Sequence, residues 1–388
     1  MSEKRVDKSK EGKHPIRSFL SFLLMLAAVL LVVLLAAYRD GTGFDILRRY
    51  LHYGRAEQAG GETVYHYDAS SKNRFALLGE SLVVLSDASL SLYNSSGAEV
   101  WSTPVTMTAP ALVSGGERAA AYDVGGTALY VVDQTGLRLA LTAGEEEPYI
   151  AATLNKNGTL AVTAQKKGYK GSVKVYDQAL GPDPSFEFNS SRRFVLDGYV
   201  LGDDLAAVTL GQENGVFVSS IGFYDLSKDA KEPAASYNIS GGLAVAVGEQ
   251  EGRLVTVSDT ALTFAGAGGE ITGTYSYNGS YLREYDLGGT GFTALLLNRY
   301  RSGSVGRLVT VDKDGGELGS LDVREEVQGI SASGRYLAVL YSDRLAVYNQ
   351  DLQPYATLQG TGDARGVLMR PDGSALLLSA GSASLFLP

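Results

Sequence analysis

A unit of about forty residues recurs along this chain, and each copy reads as an apolar strand, a tight turn, a second apolar strand and a third ending near Tyr/Val-Asp/Asn. The third-strand endings are Leu92-Tyr93-Asn94, Val131-Val132-Asp133, Val175-Tyr176-Asp177, Phe223-Tyr224-Asp225, Thr310-Val311-Asp312 and Val347-Tyr348-Asn349. Two weaker copies end near Phe264 and Phe386. A period of this length built only of strands predicts an all-β fold, a β-propeller.

Four strands can be written for each unit from residue 62 onward. The first blade has Phe75–Gly79, Leu82–Ser86, Ser89–Asn94 and Glu99–Thr103. The seventh has Val327–Ser333, Arg335–Ser342, Arg344–Asn349 and Pro354–Gly360. Apolar and small residues mix within these runs, as in strands covered on both faces by neighbouring blades. The turns are rich in Gly and Asp, as in Asp123-Val124-Gly125-Gly126 and Asp314-Gly315-Gly316. A second signature keeps the same phase: Phe188-Asn189-Ser190-Ser191, Tyr237-Asn238-Ile239-Ser240 and Tyr277-Asn278-Gly279-Ser280 each close an outer strand.

The last blade has only Arg365–Arg370, Ser374–Ala380 and Ala383–Leu387 before the chain stops. The segment Thr63–Asp68 is left over before blade 1. Pairing the two closes the ring and removes two open sheet edges. The result is an eight-bladed propeller of roughly 41 residues per blade. Seven blades is the alternative, because the fifth unit lacks the Tyr-Asp ending.

Ahead of the repeats lies Phe19–Ala37, an apolar run of 19 residues whose only polar member is Ser21. As a helix it spans about 28 Å, close to the hydrocarbon thickness of a bilayer. The run is longer than the apolar region of a cleaved signal peptide, so it reads as a retained signal anchor, a single transmembrane helix with the lipid bilayer as its partner. Residues 1–18 hold six basic side chains, Lys4, Arg5, Lys8, Lys10, Lys13 and Arg17, against three acids. The positive-inside rule keeps this tail in the cytoplasm and sends the chain beyond Tyr38 outside.

The domain plan is therefore a basic tail (1–18), an anchor (19–37), a juxtamembrane linker (38–61) and an extracytoplasmic propeller (62–388). In the linker, Thr42-Gly43-Phe44-Asp45 fits a helix-start capping pattern. Phe44, Leu47 and Leu51 then recur at helical spacing, with Arg48, Arg49, His52 and Arg55 around them. Ala59-Gly60-Gly61 ends the helix.

The formal net charge is -9, and without the basic tail the remainder is more acidic still. An acidic domain repels a phosphate backbone, which excludes nucleic acid as a partner. The chain has no Cys, hence no disulfide and no thiolate chemistry. That absence points to a bacterial cell surface rather than a secreted eukaryotic protein, and with the anchor the expected location is the plasma membrane of a Gram-positive bacterium. The sequons at Asn94, Asn157, Asn189, Asn238 and Asn278 read as turn residues.

The run from Leu90 to Trp101, Leu-Ser-Leu-Tyr-Asn-Ser-Ser-Gly-Ala-Glu-Val-Trp, resembles a PQQ-like propeller repeat. Several other units resemble WD-repeat-like blades. With the basic tail, the single anchor and the linker Phe44–Gly54, nearly the whole chain is similar to a bacterial family of signal-anchored β-propellers, a domain of unknown function. The resemblance implies a propeller outside the membrane and carries over no catalytic residue.

No catalytic, cofactor or metal constellation is legible. PQQ enzymes stack the quinone on a Trp, whereas Trp101, the only Trp, falls in an outer strand and should pack between blades. His14, His52 and His66 lie in three separate segments, so no metal trio converges. Asp312-Lys313-Asp314-Gly315 lacks the glutamate of a calcium loop and reads as a hairpin turn. One feature suggests a ligand. Lys166-Lys167-Gly168-Tyr169-Lys170 and Asn298-Arg299-Tyr300-Arg301 both occupy turns between second and third strands, which open on one face of a propeller. Lys166, Lys167, Tyr169, Lys170, Arg299, Tyr300 and Arg301 could hold an anionic partner, a cell-wall polymer or acidic protein segment. The alternative is ordinary solvated loops. The functions expected are, in order, a surface binding or scaffold module, a sensor or regulator acting through the tail, and an enzyme of unrecognised chemistry.

Overall fold

The computed structural model describes residues 15–39, 43–54, 62–228, 232–239 and 241–388. Lys4, Arg5, Lys8, Lys10, Lys13, His14, Thr42, Arg55 and Ala59-Gly60-Gly61 lie outside them. The chain divides after Glu57 into two compact units.

The first unit holds helices α1 (Pro15–Arg39) and α2 (Gly43–Tyr53). Pro15 opens α1, where its missing N–H costs no hydrogen bond. The side chains described in α1 run from Phe19 to Val33 and all are exposed. Among the described residues, no helix is long and apolar enough to cross a membrane. The apolar run in the sequence continues beyond them to Ala37. In α2, Asp45 sits in the first turn, where it complements the helix dipole. The helix presents an exposed stripe of Ile46, Leu47, Tyr50 and Leu51.

The second unit is an eight-bladed propeller. Its strands form eight antiparallel four-stranded sheets, seven of them from consecutive strands. First strands of successive blades lie side by side around the axis. Middle strands are covered on both faces, as in Leu160–Ala164, Thr293–Asn298 and Tyr336–Tyr341, every residue of which is buried. Outer strands alternate, as in Glu99–Pro104 and Ile271–Ser276. The core is thus divided into layers between blades. One layer joins blades 1 and 2 through Leu85, Leu92 and Ala121. Another joins blades 6 and 7 through Leu296, Leu308 and Val339. Trp101 packs into the first of these, half-buried beside Leu112 and Tyr130.

The repeated Asp/Asn has a structural reason. Each caps the turn that follows the third strand. Asn94 Oδ1 accepts the backbone N–H groups of Ser96 and Ala98, both at 3.0 Å. Asp312 does the same for Asp314 and Gly316 at 2.9 and 2.7 Å, and Asn349 for Asp351 and Gln353 at 3.0 and 2.8 Å. Asp133, Asp177 and Asp225 each accept the N–H two residues on. A carboxylate or amide oxygen here satisfies donors that the sheet leaves open. The fifth blade ends its third strand at Ala265 and turns through Gly266, so it lacks the signature yet keeps four strands. The seven-blade alternative is thereby excluded. Two of the five sequons also depart from the expected turns: Asn189 and Asn238 lie in the outer strands Phe186–Ser190 and Ala235–Asn238.

The eighth sheet closes the ring. Glu62–His66 pairs antiparallel with Ser382–Phe386, with Tyr65 opposite Ala383 and His66 opposite Ser382. The remaining two strands of that sheet are Ala375–Leu378 and Gly366–Met369.

Candidate ligand-binding site

Each blade runs first strand out, second strand back. The turn between second and third strands therefore returns to the face where the first strand began. All such turns share that face, including both basic loops.

In blade 3 the loop joins Leu160–Ala164 to Gly171–Tyr176. The Tyr169 N–H closes the turn on the Lys166 carbonyl at 3.0 Å, and Gly168 supplies the left-handed residue that it needs (φ 82°). Lys166 Nζ is 2.5 Å from Glu187, and Lys167 Nζ is 2.7 Å from Glu146 in a pair open to water. The exposed Lys167 pair contributes about 0–1 kcal/mol and exchanges readily for another anion. Lys170 has no ion pair among the described residues and lies 4.9 Å over the Phe194 ring. Together with Tyr169 and Leu210 these side chains border a groove of about 820 Å³ between blades 3 and 4.

Blade 4 builds the far wall. Its hairpin strands, Asp204–Glu213 and Val216–Asp225, have ten residues each and project past the start of the first strand. They leave Phe194, Val216 and Phe217 exposed. Sequence reading missed this hairpin, although the run between Leu205 and Tyr224 is longer than any neighbour's.

In blade 6, Arg299 lies 5.8 Å from the Tyr300 ring and Arg301 lies 5.9 Å from Tyr281. Neither Arg has an ion pair among the described residues. Blades 4 and 5 separate this loop from blade 3, and no described hydrogen bond, ion pair or ring contact joins the two. The seven residues share a face but form two sites.

A third feature was not visible in the sequence. The first strands of blades 3 to 7 each carry a β-bulge near their start, at Ile150, Leu196, Val245, Arg283 and Gln328. A bulge re-aims the side chains beside it. Ile150 and Leu196 border the blade 3 groove and also a cavity of about 420 Å³ in the central channel. Val113, Val247 and Leu287 give the cavity apolar walls, while Tyr122, Asp197 and Tyr285 supply its titratable groups. Burial pushes the Asp197 carboxyl up to about 7, against the pull of a 2.8 Å hydrogen bond from the Gly198 N–H. Burial likewise raises Asp286 to about 6, and Glu284, Tyr122 and Tyr285 shift upward for the same reason. Asp197 nevertheless keeps some solvent exposure, because it faces an open channel and not a sealed core. Among the described residues no three His, Asp or Glu side chains converge as a metal site.

This architecture is shared widely. The chain is similar to BamB from Moraxella catarrhalis, with a TM-score of 0.53 and 14% identity over 84% of this chain and 98% of that one. It is similar to the quinohemoprotein alcohol dehydrogenase ADHIIG from Pseudomonas putida HK5, with a TM-score of 0.53 and 10% identity over 84% and 75%. It is also similar to the WD40 repeats of RRP9, at 0.50 and 10% over 85% and 98%. Identities this low establish the propeller fold alone. No curated protein matches the chain by sequence. A family model does match, over residues 57–353, and the chain belongs to that family, DUF5711, a family of unknown function.

Proposed function

We propose that this protein is a single-pass, signal-anchored propeller of a bacterial, Gram-positive plasma membrane, and that it serves outside the cell as a binding or scaffold module for an anionic cell-wall polymer. The observation that carries the binding reading is the groove of about 820 Å³ edged by Lys166, Lys167, Tyr169 and Lys170 on a domain that is otherwise acidic. Cations and aromatic rings at one concave edge suit a flexible polyanion, whose association they steer over a Debye length. An acidic protein segment would use the same contacts.

The anchor is supported by α1. A helix that is apolar on every face requires apolar surroundings, and the exposed side chains from Phe19 to Val33 are all apolar except Ser21. The basic residues ahead of it favour a cytoplasmic N-terminus. A reporter that matures only in the cytoplasm, fused after Pro388, should stay dark in cells, while one active only outside should work. A bright cytoplasmic reporter would overturn the placement.

A second reading, a sensor or regulator, draws on the channel. Asp197, whose carboxyl sits near neutrality, is the kind of group that converts occupancy or pH into a change of charge.

A further inference from the structure

We infer that the central channel binds a small organic cation, an ammonium group on an apolar body, with Asp197 as its counter-ion and Tyr122 and Tyr285 as its aromatic walls. The site adjoins the basic groove at Ile150 and Leu196 but uses none of its cations, and it does not depend on what that groove binds.

The inference starts from geometry. Five consecutive blades contribute to one cavity of about 420 Å³, a size that suits a small molecule and not a polymer. Its walls mix the apolar Val113, Val247 and Leu287 with the polar Thr153, Tyr122 and Tyr285, which suits an apolar body carrying one polar head. Its acid is single: among the described residues, Asp197 is the only carboxylate that lines it. The contacts described for that carboxylate are one hydrogen bond from the Gly198 N–H and no ion pair. A carboxylate can accept about four hydrogen bonds, so most of its capacity faces the cavity. Tyr122 enters from blade 2 and Tyr285 from blade 6, and the charge of Asp197 is felt at both phenol hydroxyls. An acid sharing a cavity with two tyrosines is an arrangement that favours ammonium ions.

The neighbouring acids do not line this cavity. Glu284 accepts the Ile330 N–H at 3.1 Å, and Asp286 accepts the Gly288 N–H at 2.7 Å. Glu249, with Tyr199 at 3.4 Å, is paired to Lys156 at 2.5 Å and lines a different pocket. A cation in this cavity thus meets one lining carboxylate, Asp197. The empty site holds Asp197 partly protonated at neutral pH, and the cation must bind the ionised form. Affinity should be flat above pH 8 and fall about tenfold per unit well below pH 7.

The test uses the full-length protein in a nonionic detergent, titrated calorimetrically with 2-phenylethylammonium chloride and with its neutral analogue 2-phenylethanol. The ammonium ion should bind and the alcohol should bind at least ~10-fold more weakly. Asp197→Asn should abolish the preference and the pH dependence together. Val245→Trp fills the cavity wall while leaving the carboxylate in place, and it should also abolish binding. Replacing Lys166, Lys167 and Lys170 by Ser should leave it unchanged. Equal binding of the alcohol, affinity that rises on acidification, binding retained by Asp197→Asn, or no binding of the ammonium ion would each overturn the inference.

Discussion

Arg370 Nη2 donates a hydrogen bond to the hydroxyl of Tyr65 at 3.1 Å, joining residues 305 apart in the sequence. Arg370 also donates to the Glu80 carbonyl at 3.2 Å, and the Tyr65 hydroxyl donates to the same carbonyl at 3.2 Å. Tyr65 and Arg370 belong to blade 8 and Glu80 to blade 1, so this triangle sits where the ring closes. Around it Tyr65 meets Tyr93 edge-on at 6.4 Å and Tyr67 meets Phe75 at 5.1 Å.

Arg370→Ala should therefore destabilise the propeller by roughly 2–3 kcal/mol, because a buried charged donor is lost and the Tyr65 hydroxyl and the Glu80 carbonyl each lose one of their bonds. Denaturant titration reads the loss. Because the chain has no Cys, the closure can also be tested by pairing: His66→Cys with Ser382→Cys should cross-link under mild oxidation in the native state alone. Removing Ser384–Pro388 should cause aggregation out of proportion to five residues.

Gly97 is the second point of closure. It has φ 83°, and a Cβ there would stand 1.8 Å from the Val64 carbonyl oxygen of the closing strand, Glu62–His66. Gly125 has φ 78° with nothing within 4 Å. Gly125→Ala should cost only the left-handed strain of about 1–2 kcal/mol. Gly97→Ala should cost at least ~2 kcal/mol more, since backbone must move as well. Equal shifts in denaturation midpoint would mean the turn does not press on the closing strand.

Stability should fall as pH rises between about 4 and 7. The folded-state carboxyl of Asp197 titrates at about 7, above its value of 3.8 when unperturbed, so the folded chain binds the proton more tightly than the unfolded one. The penalty is absent below the lower value and complete above the upper. Asp286, at about 6, adds in the same direction. The lowered carboxyls of Asp225, Glu317 and Glu325 act below this window. Asp197→Asn should flatten the slope and raise stability at pH 8 by roughly 2–4 kcal/mol. An unchanged slope would show that Asp197 is ionised without cost.

Sequence carried the ring and lost the channel, for physical reasons. The Asp/Asn after each third strand is a local device, a side chain capping its own turn, so it recurs at fixed phase and can be read by eye. Closure was legible because one strand was left over before the first blade and the last blade was one strand short. Bulges leave no such mark. Strands covered on both faces read as continuous apolar runs, and one extra residue such as Leu196 or Val245 does not disturb them. Asp197, Tyr122 and Tyr285 come from three blades, and nothing in their spacing announces a meeting. The loops of blades 3 and 6 were legible as composition, while their separation is a property of the ring.

The central functional claim is that the blade 3 face holds a polyanion. It is tested by binding of a synthetic poly(glycerol phosphate) to the full-length protein and to a variant with Lys166, Lys167, Lys170, Arg299 and Arg301 changed to Ser, at about 50 and 500 mM salt. These side chains lie in exposed loops, so thermal stability should be nearly unchanged. The account predicts binding by the native protein at low salt, its loss at high salt, and none by the variant. Restoring the three Lys alone should recover most of the binding. Undiminished binding by the variant, or no binding by the native protein at low salt, would contradict it.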